Sequence, residues 1–222
     1  LLFSLIIFSF SRSIWLGLFF ALAISLIYIW KNEGFKKFWQ TSLWTLFTVI
    51  LGFLFIFLVV WFPYFNFNKQ VAGEFKDSFS SRIVYNSSDS ATVSRWSLLP
   101  VLWEEIKERP LFGKGFGASV SYISSDPRVL EKYPNGEYTT SAFEWGYLDI
   151  WLKTGFFGLI SYLILLFYLI IKGIRSNDKI KVAFSVILIF LAITHAFTPY
   201  LNHPLGIGIL LLSSCFICKN EI

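Results

Sequence analysis

The feature that most limits what this chain can fold into is a succession of apolar runs, most of them long enough to cross a lipid bilayer. Crossing ~30 Å of hydrocarbon takes ~20 residues of helix. Such runs cover 14–30, 42–61, 146–171 and 182–198, with shorter ones at 1–10 and 205–218. In lipid every backbone N–H and C=O must be satisfied inside its own segment, so such runs fold as helices. Of the 222 residues, 55% are hydrophobic and 20% aromatic, and the mean hydropathy is +0.63. That composition excludes an ordinary soluble domain. The expectation is a single all-α, polytopic membrane domain over 1–222, with about six membrane segments. The chain carries no methionine and opens in mid-run at Leu1, so it reads as the C-terminal part of a longer protein. No basic stretch precedes the first run, which argues against a signal peptide.

Orientation follows from lysine and arginine in the short loops. Lys31, Lys36 and Lys37 follow the second run, Lys172, Arg175, Lys179 and Lys181 the fourth, and Lys219 the last. By the positive-inside rule these loops are cytoplasmic. The segment 62–143, the Ser11-Arg12-Ser13 corner and the turn 199–204 then face outward. The net charge of +5 is mostly this topology pattern, and no nucleic-acid partner is expected. Cys215 and Cys218 have C-x-x-C spacing but no second Cys or His pair nearby, so they read as small packing residues.

The outer segment 62–143 is far longer than an ordinary connection, and ordered loops of that size are usually functional. Over 95–109 the apolar residues Trp96, Leu99, Trp103 and Ile106 recur at three and four, while Glu104, Glu105, Lys107 and Glu108 fill the opposite face. This pattern predicts an amphipathic helix lying on the membrane or on the other spans. Pro100 implies that the helix starts there or bends, and Pro110 stops it. The glycine-rich stretch 111–117 follows, a turn through which backbone can approach a ligand or a neighbouring helix closely. It lacks the Gly-Lys-Ser/Thr of a phosphate-binding loop.

Two cations stand out. Arg12 sits among apolar spans, where a charge is costly and therefore read as functional; the alternative is a side chain snorkelling to head groups. Arg95 lies in the long outer loop, where it is otherwise a solvated cation at a helix start. Asp149 and Lys153, one turn apart in the fourth run, fit an internal ion pair or a contact with glycan or lipid phosphate. His195 and His203 flank the outer turn. No cluster of Asp, His or Cys has metal-ligand spacing, and neither metal nor cofactor is expected.

The order of these pieces resembles the O-antigen ligase and polymerase superfamily. The resemblance rests on Ser11-Arg12-Ser13-Ile14-Trp15-Leu16-Gly17 at a span edge, Asp89-Ser90 before Arg95-Trp96, then Arg109-Pro110-Leu111-Phe112-Gly113-Lys114-Gly115-Phe116-Gly117, and Gly146-Tyr147-Leu148-Asp149 through Gly158. It implies a GT-C-like membrane glycosyltransferase in the bacterial inner membrane. Such an enzyme moves a glycan from an undecaprenyl-diphosphate carrier to a glycan or lipid acceptor in surface-polysaccharide synthesis. Where the ligases carry a His-Asn pair before the re-entering helix, this chain has Glu144-Trp145, which favours a polymerase or a divergent branch.

A diphosphate leaving group needs cations over its developing charge, and the acceptor hydroxyl needs a base. The resemblance implies Arg12 and Arg95 as the clamp, with Arg82 a third cation, and Glu144 as the base or else a helix-capping acid. Lys114, Asp149, Lys153 and His195 are further candidates for substrate contact; His195 is otherwise an interhelical packing residue. A transporter or flippase of lipid-linked oligosaccharide is the alternative, since it also wants outward cations. Transporters, however, are marked by repeats and broken helices.

Overall fold

A computed structural model describes residues 11–61 and 90–219. Its helices are α1 (Arg12–Glu33), α2 (Phe35–Trp61), α3 (Ser90–Glu108), the short α4 (Pro127–Leu130), α5 (Gly146–Ile174), α6 (Lys179–His195) and α7 (Pro204–Cys218). Strands β1 (Val120–Ile123) and β2 (Glu137–Thr140) flank α4, and a 3-10 turn, Tyr200–Asn202, precedes α7. The expected run 1–10 and residues Arg82 and Asp89 lie outside the described residues.

Three helices, α1, α2 and α5, are long and apolar enough to cross a membrane. At 1.5 Å per residue α6 and α7 reach only about 26 and 23 Å, short of a ~30 Å core unless the bilayer thins around them. The bundle is organised on α6, which packs against α1, α5 and α7. Small residues let these helices approach closely. The buried residues of α1 are Ser13, Gly17 and Ala21, one per turn. A Cβ on Gly17 would come within 2.5 Å of Thr194 Oγ1, and one on Gly173 would overlap Ser185. The apolar core joins Leu166, Leu169 and Ile170 of α5 to Leu188, Ile189 and Leu191 of α6, with Leu201 and Ile217 closing it. Helix α2 packs against α1 and leaves Trp39, Trp44, Phe47 and Phe53 exposed, as befits lipid-facing side chains. The basic ends gather at one pole, where Glu33 pairs with Lys37 at 2.8 Å and Lys179 at 3.0 Å.

The opposite pole carries a cap, and there the structure departs from an all-helical loop. Strands β1 and β2 form an antiparallel hairpin, Val120 opposite Thr140 and Ile123 opposite Glu137. Helix α3 packs on it through Leu98, Leu102 and Ile106, which with Ala118, Val120, Phe143 and Leu152 make a second core. The amphipathic helix expected over 95–109 is therefore present but longer, and it runs through Pro100. Its buried face is Ser94, Leu98, Leu102 and Ile106 rather than the aromatic one; Trp96 and Trp103 are exposed and lie edge-on against Trp145 and Trp151. The narrow aliphatic side chains fit the hairpin, while the indoles reach sideways to α5.

Cap and bundle are joined at a break in α5. Gly155 leaves the helix at φ 73°, ψ −176°. In an intact helix the N–H groups of Phe156 and Phe157 would bond to the carbonyls of Leu152 and Lys153. Instead Phe156 N–H donates to Pro110 O at 2.8 Å and Phe157 N–H to Leu111 O at 3.5 Å. The carbonyls of Leu152 and Lys153 accept from the N–H groups of Lys114 (2.7 Å) and Gly115 (2.9 Å). The glycine-rich turn thus replaces one helical turn of hydrogen bonds. The stretch 156–174 is about 28 Å long, close to the ~30 Å hydrocarbon core, while Leu152 of the preceding stretch packs into the core of the cap.

Candidate functional site

Arg95 lies in the second turn of α3, and its guanidinium pairs with the carboxylate of Glu144, just ahead of α5. Both side chains are about half-exposed, and an exposed pair of this kind contributes only ~0–1 kcal/mol to stability. Its placement is fixed by the neighbours. The Trp145 indole N–H donates to the Arg95 carbonyl at 3.0 Å, and the Trp145 ring meets Trp96 edge-on at 5.4 Å. Residues 95–96 and 144–145 hold each other by an ion pair, a hydrogen bond and a ring contact. The N-terminal dipole of α5 also favours an acid at Glu144.

Arg12 is the first residue of α1 and exposed. Its neighbours anchor it to the same pole. The hydroxyls of Ser11 and Ser13 lie 3.0 Å apart, Ser13 reaches Thr198 at 3.2 Å, and the ring of Phe197 lies 6.0 Å from Trp145. A cation at a helix N-terminus is opposed by the dipole by ~0.3–1 kcal/mol, so helix stability does not explain Arg12.

The remaining candidates are engaged within the protein. Lys114 is held by Glu105 and, at 2.7 Å, by Glu108. These hydrogen bonds raise its pKa above the ordinary lysine value, and Lys114 in turn lowers that of Glu108. Asp149 is buried; it pairs with Lys153 at 2.5 Å and accepts from Asn202 Nδ2 at 2.6 Å. Lys153 Nζ also lies 5.3 Å from the Phe143 ring centroid. His195 is fully buried, its Nδ1 accepting from Leu201 N–H at 3.2 Å and its ring 4.8 Å from Tyr147. Gly146 makes room for it, since a Cβ there would lie 2.4 Å from the imidazole Cε1. Arg82 lies outside the described residues.

Beside the Arg95–Glu144 pair, between α3 and the hairpin, is a cavity of about 380 Å³ whose wall includes Glu144. Arg95-Trp96, the glycine-rich turn and the start of α5 converge on one pole in the order the sequence places them. A family model described as O-antigen ligase matches residues 1–163. The chain belongs to the O-antigen ligase family. No curated protein and no solved structure matches the chain. The O-antigen ligase match spans Arg12, Arg95, Glu144 and the Gly155 break, and ends within α5, before His195. Membership, with three apolar helices, makes this a membrane enzyme of polysaccharide assembly, of the ligase or polymerase type in general.

Sequence reasoning missed the tyrosine-lined cavity and Asn202 as the second partner of Asp149. The alternation in Val120-Ser121-Tyr122-Ile123 and Glu137-Tyr138-Thr139-Thr140 was the available sign of a hairpin. Nothing in the sequence pairs Asn202 with Asp149.

Proposed function

We propose that the protein transfers a glycan from an undecaprenyl-diphosphate carrier to an acceptor hydroxyl on the outer face of the bacterial inner membrane. The observation that carries this reading is the Arg95–Glu144 pair, a cation and a base held together at the cap pole near the Arg12 corner. In the transfer, the bond from the sugar C1 to the diphosphate oxygen breaks and its electrons leave with the diphosphate. The acceptor oxygen forms the new bond to C1, and its proton passes to Glu144.

Arg12 and Arg95 stabilise the departing diphosphate, with Arg82 a third cation for the same charge. Arg95 neutralises Glu144 in the pair. A diphosphate competes for the guanidinium and frees the carboxylate when the donor is bound. Glu144 thereby takes the part of the ligases' histidine. Lys114, Asp149, Lys153 and His195 hold the frame: Lys114 ties the turn to α3, and Asp149 ties α5 to the 3-10 turn.

The break in α5 favours a second reading, a transporter of lipid-linked oligosaccharide, because broken helices mark many transporter sites. In those sites the freed backbone groups meet the cargo. Here the carbonyls of Leu152 and Lys153 and the N–H of Phe156 are bonded to the 110–115 turn, which supports the transferase reading instead. The test is reconstitution of the full-length protein in liposomes with an undecaprenyl-diphosphate oligosaccharide as sole glycan, resolving the products by size. A ladder of repeats identifies a polymerase. Product formed only on addition of a separate acceptor identifies a ligase, and movement of intact donor across the bilayer without product identifies a transporter.

A further inference from the structure

The cavity beside Glu144 has a composition of its own. Tyr138 lines it together with Tyr122 and Tyr133, its ring centroid 6.1 Å from the first and 6.2 Å from the second. The Ser94 and Ser124 hydroxyls bond to each other at 2.6 Å, and Ser94 donates to the Tyr122 hydroxyl at 3.4 Å. Asp126, Lys132 and Glu144 supply charge. At about 380 Å³ the space falls in the ~300–1000 Å³ range of small-molecule sites.

We infer that this cavity is a saccharide subsite that receives a pyranose ring of the glycan beside Glu144. Aromatic faces pack against the C–H face of a sugar, while its hydroxyls need both donors and acceptors. Tyrosines alternating with hydroxyls and carboxylates offer both. An acyl chain would bring no hydrogen-bonding groups to match the hydroxyls and charges of this lining, as a sugar does. A diphosphate would meet Asp126 and Glu144, so this cavity suits the sugar and leaves the phosphates to the arginines. The subsite rests on the transferase reading for its place in the reaction, though its binding chemistry stands independently. The sugar can belong to the donor or to the acceptor.

The test uses the full-length protein in lipid nanodiscs and saturation-transfer NMR with methyl β-glucoside, methyl α-galactoside, methyl α-rhamnoside and N-acetylglucosamine. Binding of at least one probe is expected, weakened roughly three- to tenfold by Tyr133→Ala, the scale of one lost aromatic contact. Tyr138→Phe, which keeps the ring and the fold, retains stacking. Ala142→Trp, at the exposed edge of the cavity, blocks it. In the transfer assay Ala142→Trp raises KM for whichever substrate supplies the sugar, and varying donor and acceptor in turn tells which. Probe binding unchanged in both Tyr133→Ala and Ala142→Trp overturns the subsite, even if transfer proceeds. Binding that the variants weaken, in a protein that performs no transfer, upholds the subsite and removes the enzymatic reading.

Discussion

Gly113 and Gly155 face each other across the break in α5. A Cβ on Gly113 would lie 2.6 Å from Gly155 N, and one on Gly155 would lie 2.2 Å from Leu111 O. Both have positive φ, 71° and 73°, which L side chains adopt only with strain. The contact fastens the cap to the spanning part of α5 through backbone alone, so no side chain can substitute for it.

Replacing either glycine with alanine is therefore expected to loosen the cap. Left-handed strain alone costs about 1–3 kcal/mol, and backbone overlap adds to it. Gly115→Ala is the control: its φ is also positive, 86°, but nothing lies within 4 Å of an added Cβ. Thermal unfolding in detergent should order the variants Gly155→Ala and Gly113→Ala well below Gly115→Ala. Equal melting temperatures for all three would remove the staple.

Asp149 is expected to act through structure. Asp149→Ala strands Lys153 and Asn202 and should destabilise by about 3 kcal/mol, the low end for a broken buried pair because Lys153 keeps 15% side-chain exposure. Asp149→Leu combined with Lys153→Met should recover much of that loss. Melting temperatures check the recovery, and retained transfer in the double variant would separate a positioning pair from one that contacts substrate.

The anchor of the glycine-rich turn has a defined pH window. Lys114 pulls the Glu108 carboxyl below its ordinary 4.5, so that contribution is complete above pH 4.5 and fades as the pH falls through the lowered value. Lys114, raised above 10.5 by Glu105 and then Glu108, contributes fully below pH 10.5 and less as the pH climbs through its raised value. The melting-temperature gap between the wild type and Lys114→Gln should be flat between those limits and shrink beyond both. Glu108 is exposed and Lys114 and Glu105 are only partly buried, so the gap itself is small.

Glu144→Gln keeps a hydrogen-bonding side chain beside Arg95 but cannot take a proton. Loss of a positioned base typically costs ~10²–10⁴ in rate. Initial transfer rates should fall in that range with an unchanged melting temperature, and Glu144→Asp should fall less. A Glu144→Gln enzyme as fast as wild type would leave the proton to another group.

Much of the membrane architecture was legible because lipid imposes it: among the described residues the helices lie within three residues of the apolar runs, except that α2 starts seven residues ahead of the run 42–61, and the basic loops meet at one pole, where Tyr28 also donates to Ser176 O at 3.3 Å. Pro110 does end α3 one residue earlier, at Glu108. The hairpin of the cap was not legible. Short strands such as Glu137–Thr140 carry few side chains, and their alternation is masked by a serine-rich sequence. The face of α3 was misjudged because periodicity finds apolar residues without saying which neighbour covers them; the indoles of Trp96 and Trp103 pack sideways. The break at Gly155 hides inside a continuous apolar run, because the partner that satisfies it comes from the distant 110–115 turn. Of the candidate site, Arg95 and Glu144 come together, whereas His195 is enclosed among Gly146, Tyr147 and Leu201.

The most direct test is the rate of glycan transfer by Arg95→Ala and Arg12→Ala in liposomes loaded with an undecaprenyl-diphosphate oligosaccharide, at wild-type levels of protein in the membrane. Removing one donor from a charge-stabilising site costs ~10²–10³ in rate. The expected result is a loss of at least that size in each variant, with melting temperatures within a few degrees of wild type. Near-normal transfer by both would contradict a diphosphate clamp at this pole.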